Sequence, residues 1–321
     1  MKVSVCITVL NAQGLISPLL ESLLSQTKKA DEIVIVDGGS KDKTVEIIKH
    51  FQKKNREIKL LLEKCLRSEG RNLAVEISNN NIVAMTDAGC IPNKNWLEKL
   101  TAPLIYPEVD IVAGVYKAVG ESPMQKALGV FLGFPLSKFS IDFLPTTRSI
   151  AFKKESWERV GGFPKSRANS AEDTEFNYKA VKLGLKYSRV KDAIVEWGIP
   201  ETLKEGLKTM EDYARWDARY GIWWHPTQRF ASHNIRVIFI FLRYLVGISL
   251  IILGFSNYPL LLLAGFGLIL YISWAFRKVY QEFPDWKIGI WGPLIQVASD
   301  FAVMAGFLKG LGRTQETRLP Q

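Results

Sequence analysis

The chain has 321 residues, 47% of them hydrophobic and 23% charged, with a formal net charge of +10. That length holds one large domain or two ordinary ones, and the apolar share is sufficient for a packed core. Three cysteines (Cys6, Cys65, Cys90) and three histidines (His50, His225, His233) argue against a disulfide framework and against a His-rich zinc site, and they fit a reducing compartment. The positive charge calls for an anionic partner. The basic residues are scattered or flank apolar segments and form no recognised motif, so nucleic acid is not the expected one. Hydrophobicity is uneven: residues 1–234 read as soluble, and 235–308 are mostly apolar.

The first segment, "MKVSVCITVLN", is apolar but is broken by Asn11 and has no small-residue cleavage site, so it reads as a strand and not as a signal peptide. "LISPLLESLLSQ" (15–26) has its leucines at helical spacing. "DEIVIVDGGSKDKTVEIIKHF" (31–51) reads as strand, turn and helix, the apolar run stopping at Asp37. A strand over 57–63, a helix over 68–78 and a strand over 81–87 follow. Alternation on this spacing predicts an α/β fold: a mostly parallel sheet with helices on both faces.

In such open sheets ligands sit beyond the carboxyl ends of the strands. Asn11, Asp37 and Asp87 all fall there, so three polar groups from separate strands can converge on one crevice. Turn capping is the alternative for either aspartate alone. Their repetition at equivalent strand ends favours a site.

Further on, 109–119 reads as a strand, 149–164 as strand, short helix and Gly-Gly turn, and 186–198 as a closing strand. Residues 120–148, rich in Gly, Pro and aromatics, read as an acceptor loop or a membrane contact. "SAEDTEFNYKAVKLG" (170–184) is a helix starting at Ser170 and stopping at Gly184. Glu172 and Asp173 lie in its first turn. Complementing the helix dipole is their ordinary role there.

Taken in order, Asn11 in "TVLNA", "IVIVDGGSKDKT", "TDAGC", "GGFP" and "AEDTEFNYKAVKLG" resemble the motifs of family-2 glycosyltransferases with the nucleotide-sugar-binding A-type, Rossmann-like fold. The resemblance covers roughly residues 1–200 and extends to polyprenyl- or dolichyl-phosphate-linked sugar transferases with membrane segments at the carboxyl end. It implies a nucleotide-sugar donor, a divalent ion (Mg²⁺ or Mn²⁺) and transfer with inversion at the anomeric carbon. By matching position, it implies donor contacts at Val9, Asn11, Asp37, Arg71, Asn72 and Asp87, with Asp37 at the base or ribose. Asp87 would be the metal ligand, as the first residue of the family's Asp-x-Asp. Asp173, in the "ED" pair with Glu172, would be the general base.

The chemistry agrees with those roles. A leaving diphosphate concentrates negative charge, which a hard cation on carboxylate oxygens stabilises. A second carboxylate takes the acceptor hydroxyl's proton. A phosphate acceptor is already anionic, and Asp173 would then mainly position it. Two departures stand out: Gly89 replaces the second acid of Asp-x-Asp, and Gly38 replaces the second acid of the nucleotide-site pair.

From Pro200, an amphipathic stretch places Leu203, Leu207, Met210 and Ala214 on one face. Its "DYARW" resembles the family's Gln-x-x-Arg-Trp motif, with Asp212 in the glutamine position. That match puts Trp216 at the acceptor and Arg215 at the diphosphate, with Arg219 four residues on from Arg215. The other reading is an interfacial helix with Trp223 and Trp224 at headgroup level.

Residues 236–255 and 258–276 are each long and apolar enough to span a bilayer, whereas 289–308 holds Pro293 and Asp300 and is spanning, re-entrant or interfacial. Arg229, Arg236, Arg277, Lys278 and Lys287 flank the expected cytoplasmic ends, which predicts an integral membrane protein with a cytoplasmic catalytic domain. Lys309, Arg313 and Arg318 break that pattern if the third segment spans. Arg243 and Asp300 are expected to approach each other or to line a lipid-phosphate path.

The expected organisation is a catalytic domain (1–200), interfacial helices (201–233), a transmembrane region (234–310) and a tail (311–321). The leading reading is a membrane glycosyltransferase acting on a lipid-linked acceptor, either polyprenyl phosphate or a lipid-linked glycan, with membrane lipids as further partners. A polysaccharide synthase subunit and a non-catalytic nucleotide-sugar-binding or scaffold protein are the alternatives.

Overall fold

The computed structural model describes residues 1–133, 139–164, 171–223 and 232–312. The expected helix start at Ser170, and Trp224, His225, Arg229, Arg313 and Arg318, lie outside the described residues. The chain forms two units, one of residues 1–117 and 136–198 and one of 118–135 and 199–316.

In the first unit the elements run β1 (Val3–Val9), α1 (Ile16–Leu24), β2 (Glu32–Asp37), α2 (Thr44–Lys54), β3 (Ile58–Leu62), α3 (Arg67–Glu76) and β4 (Ile82–Met85). After β5 (Cys90–Pro92) and α4 (Trp96–Thr101) comes β6 (Ile111–Val119). The first helix of the second unit, α5 (Pro123–Leu132), intervenes before β7 (Ile150–Lys153), α6 (Lys154–Val160), α7 (Glu172–Lys182) and β8 (Tyr187–Gly198).

The sheet order is β3-β2-β1-β4-β7-β6-β8-β5. Pairing is parallel across β3-β2-β1-β4, as the strand–helix alternation requires. Beyond β4 the sheet turns over: β7 runs antiparallel to β4 and to β6, and β5 antiparallel to β8. The sheet is therefore mixed, its parallel half corresponding to the regular amino-terminal alternation.

Helices cover both faces. Ile16, Leu19, Leu20 and Leu23 share one face of α1 and pack with Trp96 and Leu100 of α4 beneath Val3, Val5 and Ile7. On the other face Val75 of α3 and Phe176 of α7 pack with Phe152 and Phe163. Each such side chain contributes about 1.5–3 kcal/mol through burial. β1 and β2 are buried almost throughout, which explains their unbroken β-branched runs.

The second unit adds α8 (Leu203–Arg219), α9 (His233–Gly254), α10 (Tyr258–Tyr280), the short α11 (Trp286–Gly289) and α12 (Trp291–Leu311). Capping boxes start two of its helices: Ser122 with Gln125 at α5, and Thr202 with Glu205 at α8. By length and composition, α9, α10 and the α11–α12 segment are each able to cross a membrane. Arg243 and Asp300 meet: Asp300 is 1% exposed and accepts hydrogen bonds from Arg243, Tyr271, Tyr244 and Gln296.

Candidate active site

The carboxyl ends of β1, β2 and β4 lie side by side because their register is parallel, Val9 pairing with Asp37. Asp37 is 2% exposed. Its Oδ1 accepts from the backbone N–H groups of Gly39 (3.0 Å) and Ser40 (2.8 Å), and its Oδ2 is buried with no hydrogen-bond partner. A buried carboxylate oxygen without a donor is costly and marks a place where a ligand would donate. Val9 is buried in the core beside it. Asn11, in the left-handed region at φ 51°, accepts from Lys41 N–H at 2.8 Å and ties the first strand end to the loop after the second. A side chain at Gly38 would start 3.2 Å from the carbonyl of Cys65, so the missing second acid here has a steric counterpart.

At the end of β4, Asp87 is held from two directions. Arg71 of α3 donates to its Oδ1 at 2.7 Å, and Thr147 donates to its Oδ2 at 3.3 Å. The other arm of Arg71 reaches Glu172 at the start of α7. One guanidinium thus bridges two carboxylates, and it is itself buried. Burial alone would raise the pKa of Asp87, but Arg71, Arg148 and Arg67 outweigh it and hold the carboxyl below its ordinary value.

Asp173 behaves oppositely. Burial and then the neighbouring Glu172 push its carboxyl up, against the pull of Arg71 and Arg148. Glu172 is engaged with Arg71, whereas Asp173 accepts from the N–H of Thr174 at 2.8 Å.

Arg148 stacks over two rings, 4.9 Å from the centre of Tyr116 and 4.3 Å from that of Trp197. Trp197 is paired with Cys90 in the β5–β8 register, so this cation stands beside the segment Asp87–Cys90. Position 89 is a glycine in the left-handed region, φ +86°, where a side chain is strained. The residues at this point therefore provide one carboxylate and arginines, in place of two carboxylates. Among the described residues no group of three His, Cys, Asp or Glu side chains could hold a metal ion. A hard divalent cation fits only with Asp87 as its one protein carboxylate and with phosphate and water oxygens completing the shell.

Two expected donor residues have other surroundings. Asn72 donates to the carbonyl of Phe163 and accepts from its N–H, both at 2.8 Å, and clamps α3 to the Gly161–Phe163 turn. Arg71 serves the carboxylates just described. In the second unit, Arg215 pairs with Asp212 at 2.9 Å, and Arg215 and Arg219 both lie over the Trp216 ring, at 5.2 and 5.3 Å. His233 pairs with Asp217 at 2.8 Å.

Thr147 and Arg148 were missed by sequence reasoning. They precede an ordinary strand, and only the antiparallel β4–β7 pairing, Met85 opposite Ile150, brings them to Asp87.

Residues 4–156 match the family described as Glycosyl transferase family 2. Glycosyltransferase AglE of Haloferax volcanii is 34% identical over 116 residues, which is 35% of this chain and 38% of that protein. The chain spans between 18% and 40% of the lengths of three curated relatives. Among solved structures, mannosyltransferase PcManGT from Pyrobaculum calidifontis, in complex with GDP-Man and Mn²⁺, superposes with a TM-score of 0.68 at 18% identity, covering 97% of this chain and 87% of that one. TarS 1–349 of S. aureus, in complex with UDP-GlcNAc, gives a TM-score of 0.51 at 21% identity over 68% of this chain and 66% of that one. These likenesses establish the A-type glycosyltransferase fold.

Proposed function

Residues 4–156 carry a family-2 glycosyltransferase domain, and from that premise we propose that the chain moves a sugar from a nucleotide-sugar donor to a lipid-linked acceptor at a membrane, with inversion. The observation that carries this reading is the constellation at the strand ends. Asp87 is kept ionised by Arg71, Asp173 has a raised pKa beside it, and Asp37 has a buried oxygen open to a donor group.

In this reading Asp37 accepts from the base or ribose. Asp87 is the residue that would hold a divalent ion, which when bound supplies charge compensation for the diphosphate. Arg148 stands where that diphosphate leaves and shares the compensation, which offsets the glycine at position 89. Asp173 takes the proton of an acceptor hydroxyl or orients an acceptor phosphate. Structures of the same fold carry GDP-Man with Mn²⁺ in one case and UDP-GlcNAc in another, which supports a nucleoside diphosphate sugar and leaves the base to experiment.

The membrane part of the reading rests on α9 and α10, whose apolar surfaces are largely exposed. Arg236, Arg277, Lys278 and Lys287 lie near the amino end of α9, the carboxyl end of α10 and the start of the α11–α12 segment. That clustering supports a cytoplasmic catalytic domain, where nucleotide sugars are found. The Arg215–Trp216–Arg219 cluster on α8 suits an acceptor headgroup that bears phosphate.

Thermal shift of the full chain in detergent, against a panel of nucleoside diphosphates and nucleotide sugars with and without Mn²⁺, tests the donor assignment. One nucleotide class should raise Tm in wild type, and the metal-dependent part of that rise should vanish in Asp87→Ala. No shift with any nucleotide would refute it.

A further inference from the structure

The α9–α10 hairpin closes tightly at its tip, where a Cβ on Gly254 would lie 2.9 Å from the nitrogen of Leu261. Its foot is therefore the amino end of α9 together with the carboxyl end of α10. Both ends of α12 meet that foot. At one end Gly292 is pressed against α10, with a Cβ there only 2.3 Å from the carbonyl of Ala275 and 3.1 Å from Val279. At the other end Phe307 packs with Val237 and lies 6.1 Å, ring to ring, from Phe241 near the amino end of α9. Between them Asp300 receives Arg243 and Tyr271.

A helix running alongside the hairpin could not make these contacts. From Gly292 to Phe307 a helix advances about 22 Å. A spanning α12 would carry Phe307 that distance toward the tip, close to Gly254. Val237, its actual neighbour, lies roughly 25 Å along α9 from Gly254 by the same rise.

The surface of α12 agrees. Leu294, Phe301 and Leu308, seven residues apart, are 60%, 56% and 57% exposed and form one apolar stripe. The opposite face carries Gln296, Ser299 and Asp300, all buried. It also carries Gly306 and Gly310, which sit on the carbonyls of Glu211 and Arg215 of α8. One side of α12 is thus left bare for lipid, while the other is packed against the hairpin and α8.

We propose that α12 does not cross the bilayer: it lies across the foot of the α9–α10 hairpin in the membrane interface, with the Leu294–Phe301–Leu308 stripe in lipid, so that the segments before α9 and after α12 share one side. The occupant of the stripe is lipid, since the exposed apolar surfaces of α9 and α10 rise from the same foot. Asp300 then belongs to the helix at the foot, and Arg243, about 9 Å further along α9 than Val237, reaches it with its side chain. Lys309 joins Arg236, Arg277 and Lys278 on one side, in agreement with the positive-inside pattern. The Arg215–Trp216–Arg219 cluster, packed on α12 through α8, comes to headgroup level. None of this depends on the chemistry of the first unit.

Single reporter cysteines at Lys208, Asn257 and Gly312, placed in the full chain with Cys65→Ser and probed with a membrane-impermeant maleimide from either side of sealed vesicles, test the topology. Gly312→Cys should label from the same side as Lys208→Cys, with Asn257→Cys labelling from the other. Labelling of Gly312→Cys together with Asn257→Cys overturns the proposal. Fluorescent-protein and phosphatase fusions at the two ends of the unaltered chain give a second reading, independent of any variant's folding: reports from one side support it, and reports from opposite sides overturn it.

Discussion

Arg71 touches Asp87 and Glu172 at once and is buried between them, so the ionisation of the whole site is coupled through one side chain. The folded pKa of Asp87 is depressed, so its ionisation contributes stability that is present above the unfolded value and is lost as pH falls through the folded one. Asp173 has the opposite sign: its raised pKa means that the ionised form is a cost to the fold at neutral pH. Asp173→Asn should therefore raise Tm at pH 7 while lowering transfer. The loss should be on the order of 10²–10⁴-fold for a hydroxyl acceptor and much smaller for a phosphate acceptor, which separates the two acceptor classes. An unchanged or lowered Tm would contradict the assignment of strain to this acid. Arg148→Ala should weaken binding of a nucleoside diphosphate by about tenfold, the worth of one charged contact near 1.4 kcal/mol, and leave the bare nucleoside unaffected. Equal weakening of both, measured by calorimetry, would mean that the arginine only supports the fold. The places of Asp37 and Asp87 at strand ends and of Asp173 in the first turn of a helix are legible from periodicity, whereas the roles proposed for them come from the family resemblance. The place of Arg148 is not legible, because it depends on a long-range antiparallel pairing that leaves no local mark.

The elements follow the sequence where local rules suffice and depart from it where partners decide. The βα alternation from β1 to β4 is readable because parallel strands buried on both faces must be apolar throughout. Strand direction beyond β4 is not readable, since a buried strand looks the same in either direction. The same limit applies to α12: length and hydropathy describe a helix able to span, and only its contacts at both ends reveal a crossing. Close packing between α8 and α12 depends on glycines four residues apart. A Cβ at Gly306 would fall 2.1 Å from the carbonyl of Glu211, and one at Gly310 would fall 2.4 Å from that of Arg215. Gly306→Val should therefore destabilise the chain in detergent by about 1–3 kcal/mol, as overpacking typically does. Gly265→Val on α10, with nothing within 4 Å, should leave the melting temperature nearly unchanged. Similar melting of both variants would mean that α8 and α12 separate at little cost.

At the scale of the whole molecule, residues 4–156 match family-2 glycosyltransferases and the second unit holds three helical segments able to cross a membrane; the proposed lipid-linked acceptor is what joins them. The net charge of +10 is then explained by phosphate on both substrates and by anionic headgroups at the interface, with no need for nucleic acid. The direct test is to incubate membranes bearing the chain with polyprenyl phosphate and each of a panel of radiolabelled nucleotide sugars, and to count label in the organic phase. The account predicts that one donor gives extractable label that depends on added lipid and disappears in Asp87→Ala. Label that stays in the aqueous phase with every donor, while the chain still binds nucleotide, would contradict a lipid-linked acceptor.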